Sequence, residues 1–161
     1  MASLTTEHAT AAVLNGRPGD ATAAMDAAAE LAERFGATGE PYFRGFLYGP
    51  GRAAIDRMWV ALEAGEPDQA ESVAQGVDPR DHPFETERAF FWLHRGRALA
   101  QLSGRQDDAV RALRTAERIF PTAVLRHQGV REVLAELLAR ARRDAVGREL
   151  RGMAYRADLQ V

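Results

Sequence analysis

Apolar and small side chains recur every three to four residues along most of the chain, and one short polar phrase interrupts this helical pattern three times. The phrase runs from Asn15 to Ala21, from Ala64 to Ala70 and from Ser103 to Ala109, and in each copy an Ala follows a Gly by five residues. A Gly adopts the positive φ that ends a helix, and a small Ala lets two antiparallel helices approach closely. Each phrase therefore predicts a turn between two helices.

The segments on both sides of these turns have the spacing of amphipathic helices. Upstream of the third turn the apolar or small positions are Phe90, Phe91, Trp92, Leu93, Gly96, Leu99, Ala100 and Leu102, and downstream they are Ala109, Val110, Leu113, Ala116 and Ile119. We predict one all-α domain over residues 1–161, with three antiparallel helix pairs at about 2–36, 50–77 and 86–120. A C-terminal helix at about 123–157 is expected to cap the stack with its apolar face.

Length and composition fit an ordinary folded domain. The chain has 161 residues, of which 46% are hydrophobic and 27% charged, and this balance allows a substantial core. The sequence contains no Cys and no secretory signal pattern, and no apolar run reaches the length that spans a bilayer. We therefore expect a cytoplasmic protein without disulfides and without a membrane segment.

Charge is distributed unevenly along the chain. Residues 1–88 carry 15 acidic residues and 7 Arg, whereas residues 89–161 carry 8 acidic residues and 14 Arg. The Arg-rich C-terminal helix could contact phosphates, or its charges could be solvated while its apolar face caps the stack. Because acidic residues are interspersed among the arginines, we expect no sequence-specific DNA binding by this chain alone.

Motifs for catalysis or metal binding do not occur in the sequence. The four histidines are scattered: His8, His82, His94 and His127. None forms a metal-ligand motif, and the few Ser lie outside nucleophile motifs. Asp107 and Asp108 lie at a predicted helix start, where carboxylates stabilise the helix dipole. We expect a non-enzyme that needs no metal and no cofactor.

A Gly-Pro-Gly phrase precedes the predicted helix that contains Arg52. The segment Gly49–Gly51 could form an anion site at a helix N-terminus, or it could be a loop that ends where the helix begins. Neither a Walker motif nor a dinucleotide motif accompanies it.

The third turn and its flanks resemble a repeat of the tetratricopeptide (TPR) family. The matching residues are Trp92, Gly96, Leu99, Gly104, Ala109, Leu113, Ala116 and Pro121. The turn glycines are separated by 49 and then 39 residues, more than the TPR repeat of about 34, so we expect insertions at 38–51 and 76–86. The resemblance implies a stack of helix pairs whose first helices line a concave groove.

This resemblance assigns eight residues to the groove. They are Arg52, Ile55, Trp59 and Glu63 from the second pair, and Phe90, Leu93, Arg97 and Gln101 from the third. An aromatic ring beside an Arg favours a peptide carboxylate or another anion, although Trp59 and Phe90 could instead belong to the core. The expected partners are a peptide, a small molecule or a protein in the groove, and a second copy of the chain in a homodimer.

Several segments also resemble the C-terminal region of actinobacterial XRE-type helix-turn-helix transcriptional regulators. They are Phe46–Pro50, Ile55–Arg57, Val60–Pro67, Gly104–Val110 and Val130–Glu132. In that family, the resemblance implies, the helical repeats form a ligand-sensing module behind a DNA-binding domain. The residues before Gly16 are too few for such a domain, so we expect a ligand-sensing or protein-interaction module, or alternatively a free-standing TPR scaffold.

Overall fold

The computed structural model describes residues 8–9, 11–12, 15–17, 19–21, 23–27, 30, 50–82, 84–141 and 144–159. Every regular element within these residues is a helix, which confirms the prediction of an all-α chain. No helix in the described part is both long and apolar enough to cross a membrane. The chain divides into two compact units, Met1–His82 and Pro83–Val161, and the expectation of one domain stays a prediction.

The first unit contains helix α1 (Pro50–Glu63) and helix α2 (Pro67–Gln75), followed by a short 3-10 helix at Pro79–Asp81. A proline begins both α-helices, because the first turn has no intrahelical use for the N–H that proline lacks. The two helices pack against each other and lie within the bounds predicted for the second pair. Described residues on both sides of the turn at Asn15 and Gly16 are also helical, as expected for the first pair.

The second unit contains helices α3 (Glu85–Gln101), α4 (Gln106–Ile119), α5 (Pro121–Arg126), α6 (Gln128–Ala139) and α7 (Ala145–Arg156). Helix α3 packs along α4, and α6 packs against α7; in addition, α3 contacts α6 and α4 contacts α7. These helices share one hydrophobic core, in which Leu93, Leu113, Leu134 and Met153 are each 0% exposed.

The three predicted turns have the backbone conformation that their glycines require. Gly16, Gly65 and Gly104 have φ angles of 69°, 77° and 73°, a region that side chains with a Cβ rarely adopt. The alanines that follow five residues later are Ala21, Ala70 and Ala109, and each is 0% exposed. The phrase therefore sets both the turn and the close approach of the helix that follows it.

Helices α3 and α4 approach closely where Gly96 faces Leu113. A Cβ added to Gly96 would lie 2.6 Å from the Leu113 Cγ and 3.2 Å from its backbone nitrogen. Carbon atoms normally pack about 3.5–4.0 Å apart, so the absence of a side chain at Gly96 allows this crossing. The predicted small residue thus has a defined packing role.

The prediction of one C-terminal helix over about 123–157 is wrong, because the structure divides this segment into α5, α6 and α7. His127 has an extended conformation with ψ of 123°, which ends α5. Beyond α6, Arg140 leaves the helical conformation, and the Asp144 carboxylate accepts a hydrogen bond from the Gly147 N–H at 2.8 Å and thereby starts α7. The segment thus forms a further helix pair, α6 and α7, rather than a single cap.

Candidate functional site

The eight residues predicted to line the groove are divided between the two units. In the first unit, Ile55 is 3% exposed and belongs to the core. Trp59 is partly buried against the cluster that contains Met25, and Glu63 is exposed. The Nε of Arg52 donates a hydrogen bond to the Asp56 carboxylate at 3.1 Å.

In the second unit, Leu93 is 0% exposed and belongs to the core. The ring of Phe90 lies within a cluster of aromatic side chains: its centroid is 6.2 Å from that of His94 and 6.4 Å from that of His127. The Phe90 ring therefore packs within the protein, which favours a position in the core over a position in the groove.

Arg97 and Gln101 lie one turn apart on α3. The Arg97 guanidinium packs against Gly129, where an added Cβ would be 2.7 Å from its Cζ, so a side chain at this position would require the guanidinium to shift. The Gln101 amide donates to the backbone carbonyl of Arg97 at 3.4 Å. The groove as a whole stays a prediction, because its two halves belong to units that are described separately.

Gly51 has a packing role at the start of α1. An added Cβ would lie 2.7 Å from the Nδ1 of His82, whose side chain is 0% exposed. The missing side chain thus makes room for a buried imidazole. This contact gives Gly51 a role in packing at the helix start. Gly49 lies outside the described residues, and the choice between a loop and an anion site at this phrase stays a prediction.

A cleft of about 520 Å³ lies within the second unit, between the turn that joins α3 to α4 and the turn that joins α6 to α7. Its floor is apolar: Val110, Leu137 and Leu150 are 2%, 4% and 3% exposed, and Ala141 and Val146 extend this surface. The volume falls within the range of about 300–1,000 Å³ that is typical of small-molecule sites.

The rim of the cleft carries both acidic and basic side chains on each side. On α4, Asp107 and Arg111 lie four residues apart and therefore on one face of the helix. On the opposite side, Arg140 at the end of α6 and Asp144 at the start of α7 line the cleft. Arg142 and Arg143, which lie between these two in sequence, are outside the described residues.

A further carboxylate on the rim, that of Asp108, is shared by two guanidinium groups. The Arg105 Nε donates to it at 2.7 Å and the Arg111 Nη2 at 2.5 Å. The hydrogen bonds from Arg105 and then Arg111 lower the pKa of Asp108 from its usual value of 3.8. Asp108 is therefore ionised near neutral pH and is bonded to its neighbours.

The other charged rim residues have fewer contacts. Arg140 donates to the Glu136 carboxylate at 2.8 Å, and both side chains are largely solvent-exposed. One oxygen of Asp144 accepts the Gly147 N–H that caps α7. Asp107 is exposed and makes no hydrogen bond or ion pair within the described part of the chain.

An ionic cluster holds the far end of α7 against α4. Glu117, which is 3% exposed, accepts hydrogen bonds from Arg156 at 2.5 and 3.0 Å and from Arg114 at 2.6 Å. Burial by itself raises the pKa of Glu117, but the bonds from Arg156 and Arg114 outweigh it and leave the pKa below its usual 4.5. Arg114 also reaches Glu149 on α7 at 2.9 Å.

The last turn of α7 is fixed by two further features. The Arg131 guanidinium donates to the backbone carbonyl of Ala157. Asp158 follows with a φ of 57°, and the N–H of Leu159 bonds back to the carbonyl of Ala154 at 3.0 Å, which is the closing bond of a Schellman cap. The wall that α7 contributes to the cleft is therefore part of a fixed helix.

Comparison with protein-family models, curated proteins and solved structures finds no match to this chain. Among the residues that the structure describes, no group of three or more His, Asp or Glu is placed to hold a metal ion. The cleft thus has the volume of a small-molecule site, with an apolar floor and a charged rim.

Sequence reasoning did not assign the cleft. It placed Asp107 and Asp108 correctly at a helix start, but it treated Arg140 and Asp144 as part of one continuous helix. The pair Asp144 and Gly147 could have revealed the start of α7. Its spacing is that of an N-cap side chain and the backbone N–H from which the side chain accepts a hydrogen bond.

Proposed function

We propose that this chain is a non-catalytic, TPR-like binding module and that the cleft between α4 and α7 holds a small-molecule ligand. The observation that carries the proposal is the cleft itself, which combines a volume of about 520 Å³ with an apolar floor and a charged rim. Apolar surface supplies affinity in such sites, and a few polar groups supply orientation.

The contacts between helices support the TPR-like part of the proposal. In stacked repeats, the first helix of one pair lies beside the first helix of the next, and the second beside the second. Helix α3 contacts α6, and α4 contacts α7. In this interpretation α6 and α7 form a fourth pair, and the cleft lies where the turns of two successive pairs adjoin.

The resemblance to XRE-type regulators suggests what binding achieves. A ligand in the cleft contacts α4 from one pair and both α6 and α7 from the next. Binding therefore stabilises the distance between the two pairs at which the ligand makes the best contacts. A module whose packing responds to a small molecule can act as the sensing part of a regulator. The proposal therefore places this chain in the regulatory region of such a protein.

Fragment binding to the full chain, followed by the amide signals of a ¹⁵N-labelled sample, tests this function. We expect the shifts of bound fragments to cluster at Asp107–Arg111 and at the start of α7. Ala141→Trp places an indole in the cleft and should abolish this binding. Ala135→Trp adds the same group on the exposed side of α6 and should leave it intact.

Two results would count against the proposal. One is a screen that yields no fragment with shifts in the cleft. The other is binding that survives in the Ala141→Trp variant. An Arg52→Ala, Arg97→Ala double variant addresses the predicted groove: ligand affinity should stay unchanged if the cleft is the site, and should fall if the groove is.

A further inference from the structure

We propose that the cleft selects small zwitterions with an apolar body, the chemistry of a free apolar α-amino acid. Such a ligand carries an ammonium group, a carboxylate group and an apolar side chain within a few ångströms of one another. This inference rests on the proposed function, because it names the ligand class of the same cleft.

The floor of the cleft provides the surface for the apolar body. Val110 from α4, Leu137 from α6 and Leu150 from α7 converge there, and Val146 and Ala141 widen the surface. Val110, Leu137 and Leu150 are almost fully buried, so the apolar area open to a ligand is mainly the part-exposed surface of Val146 and Ala141. A ligand that covers this surface gains in proportion to its area. A wholly polar ligand leaves that area uncovered and gains nothing from it.

The rim provides partners for both charges of the zwitterion. Asp107 and Arg111 face the cleft from one side, and Arg140 and Asp144 face it from the other. An ammonium group meets a carboxylate on either side, and a carboxylate meets a guanidinium, with which it forms strong charge-assisted hydrogen bonds. The arrangement thus accepts a ligand with one charge of each sign.

The rim charges are also available to a ligand. Asp107 has no bond to give up within the described residues, and Asp144 uses one of its two oxygens for the cap of α7. Arg111 shares the Asp108 carboxylate with Arg105, so Asp108 keeps one partner when Arg111 binds a ligand instead. The pair between Arg140 and Glu136 lies in solvent, where such pairs contribute little stability.

The same lining disfavours ligands with several charges of one sign. A phosphate-rich molecule in the cleft lies beside three carboxylates, those of Asp107, Asp108 and Asp144. A polyamine lies beside the guanidinium groups of Arg111 and Arg140. Like charges repel, so a ligand with no net charge suits the balance of the described rim charges best.

The test uses four matched probes with the full chain: free phenylalanine, N-acetylphenylalanine, phenylalanine amide and N-acetylphenylalanine amide. The acetyl group removes the positive charge and the amide removes the negative one, while the ring stays the same. We expect free phenylalanine to shift the amide signals of the cleft. The acetyl group and the amide group should each raise the Kd by about tenfold, because each removes charge-assisted hydrogen bonds.

Two variants separate the two charges. Asp107→Asn should reduce the preference for the free amino group over the acetylated one, and Arg140→Gln should reduce the preference for the free carboxylate over the amide. Glu132→Gln is the matched control, since it removes an exposed α6 carboxylate that bonds to Gln128 and not to a rim residue, and it should leave both preferences unchanged. Circular dichroism establishes that each variant is folded.

An apolar amino acid and an apolar dipeptide share this chemistry. Free leucyl-leucine, added as a fifth probe, distinguishes between them. Tighter binding than phenylalanine identifies a dipeptide-sized zwitterion as the ligand, and weaker binding identifies a single amino acid; both agree with the proposal. Equal binding of all four phenylalanine probes overturns the zwitterion inference but leaves a ligand-binding cleft. If neither these probes nor the fragments shift the cleft signals, the proposed function fails as well.

Discussion

Replacement of Gly96 by Ala tests the packing of α3 against α4. The new methyl group would lie 2.6 Å from Leu113 Cγ, 2.8 Å from Cδ2 and 3.2 Å from the backbone nitrogen, about 1 Å closer than ordinary carbon contacts. Leu113 is 0% exposed, so its side chain is enclosed by the core and moves only by displacing its neighbours. Overpacking of this kind costs about 1–3 kcal/mol, and the better helix propensity of Ala recovers up to about 1 kcal/mol.

The partner substitution shows whether this contact is the cause. Leu113→Ala alone should lower the free energy of unfolding by about 2–5 kcal/mol, because it leaves a cavity in the core. In the Gly96→Ala, Leu113→Ala double variant the added methyl group enters space that Leu113 has vacated. We therefore expect the double variant to be at least about 1 kcal/mol more stable than the sum of the single changes predicts.

Urea unfolding of the four proteins, followed by circular dichroism, measures these differences. Gly19→Ala is the control, because Gly19 is a helical glycine with nothing within 4 Å of an added Cβ; it should stabilise the protein by up to about 1 kcal/mol. Additive single changes, or a Gly96→Ala variant that gains stability as Gly19→Ala does, would refute the assigned crossing of α3 and α4.

Three further predictions concern single sites. Glu117→Gln should cost about 2 kcal/mol near neutral pH. Because the folded-state pKa of Glu117 lies below its usual value of 4.5, the wild-type advantage is complete above that usual value and is lost as the pH falls through the folded-state pKa. The difference in unfolding free energy between the two proteins should therefore shrink at pH 3. Asp158→Gly should raise the melting temperature and Asp158→Val should lower it, since φ at this position is 57° and only glycine adopts it without strain. Gly51→Ala should lower the melting temperature by forcing apart α1 and His82, and an unchanged value would contradict that contact.

The helix turns were predictable wherever a glycine marks them. Gly16, Gly65 and Gly104 have the positive φ that the sequence predicts, because only a residue without Cβ adopts it at little cost. The break between α6 and α7 has no such marker. It depends on Asp144, whose carboxylate replaces a backbone partner at the helix start, and acidic residues are equally common on the exposed face of a continuous helix.

The site was harder to predict than the fold for a related reason. A repeat pattern assigns positions to faces, and it placed Ile55 and Leu93 in a groove although both are buried in the core of their units. The spacing of apolar residues predicts which side chains are buried. It does not distinguish burial within the protein from burial under a bound partner. The cleft depends on the point where α7 begins, which the pattern did not locate.

The anchoring of α7 restricts how the cleft can change its width. This helix of 12 residues is about 18 Å long at 1.5 Å per residue, and its C-terminal end is held by Glu117 and Arg131 while its N-terminal end forms the cleft wall. Between these two ends, Leu150 and Met153 are 3% and 0% exposed, so any tilt of this wall also shifts side chains of the core. A change in the width of the cleft is therefore coupled to the packing of the second unit rather than confined to one helix.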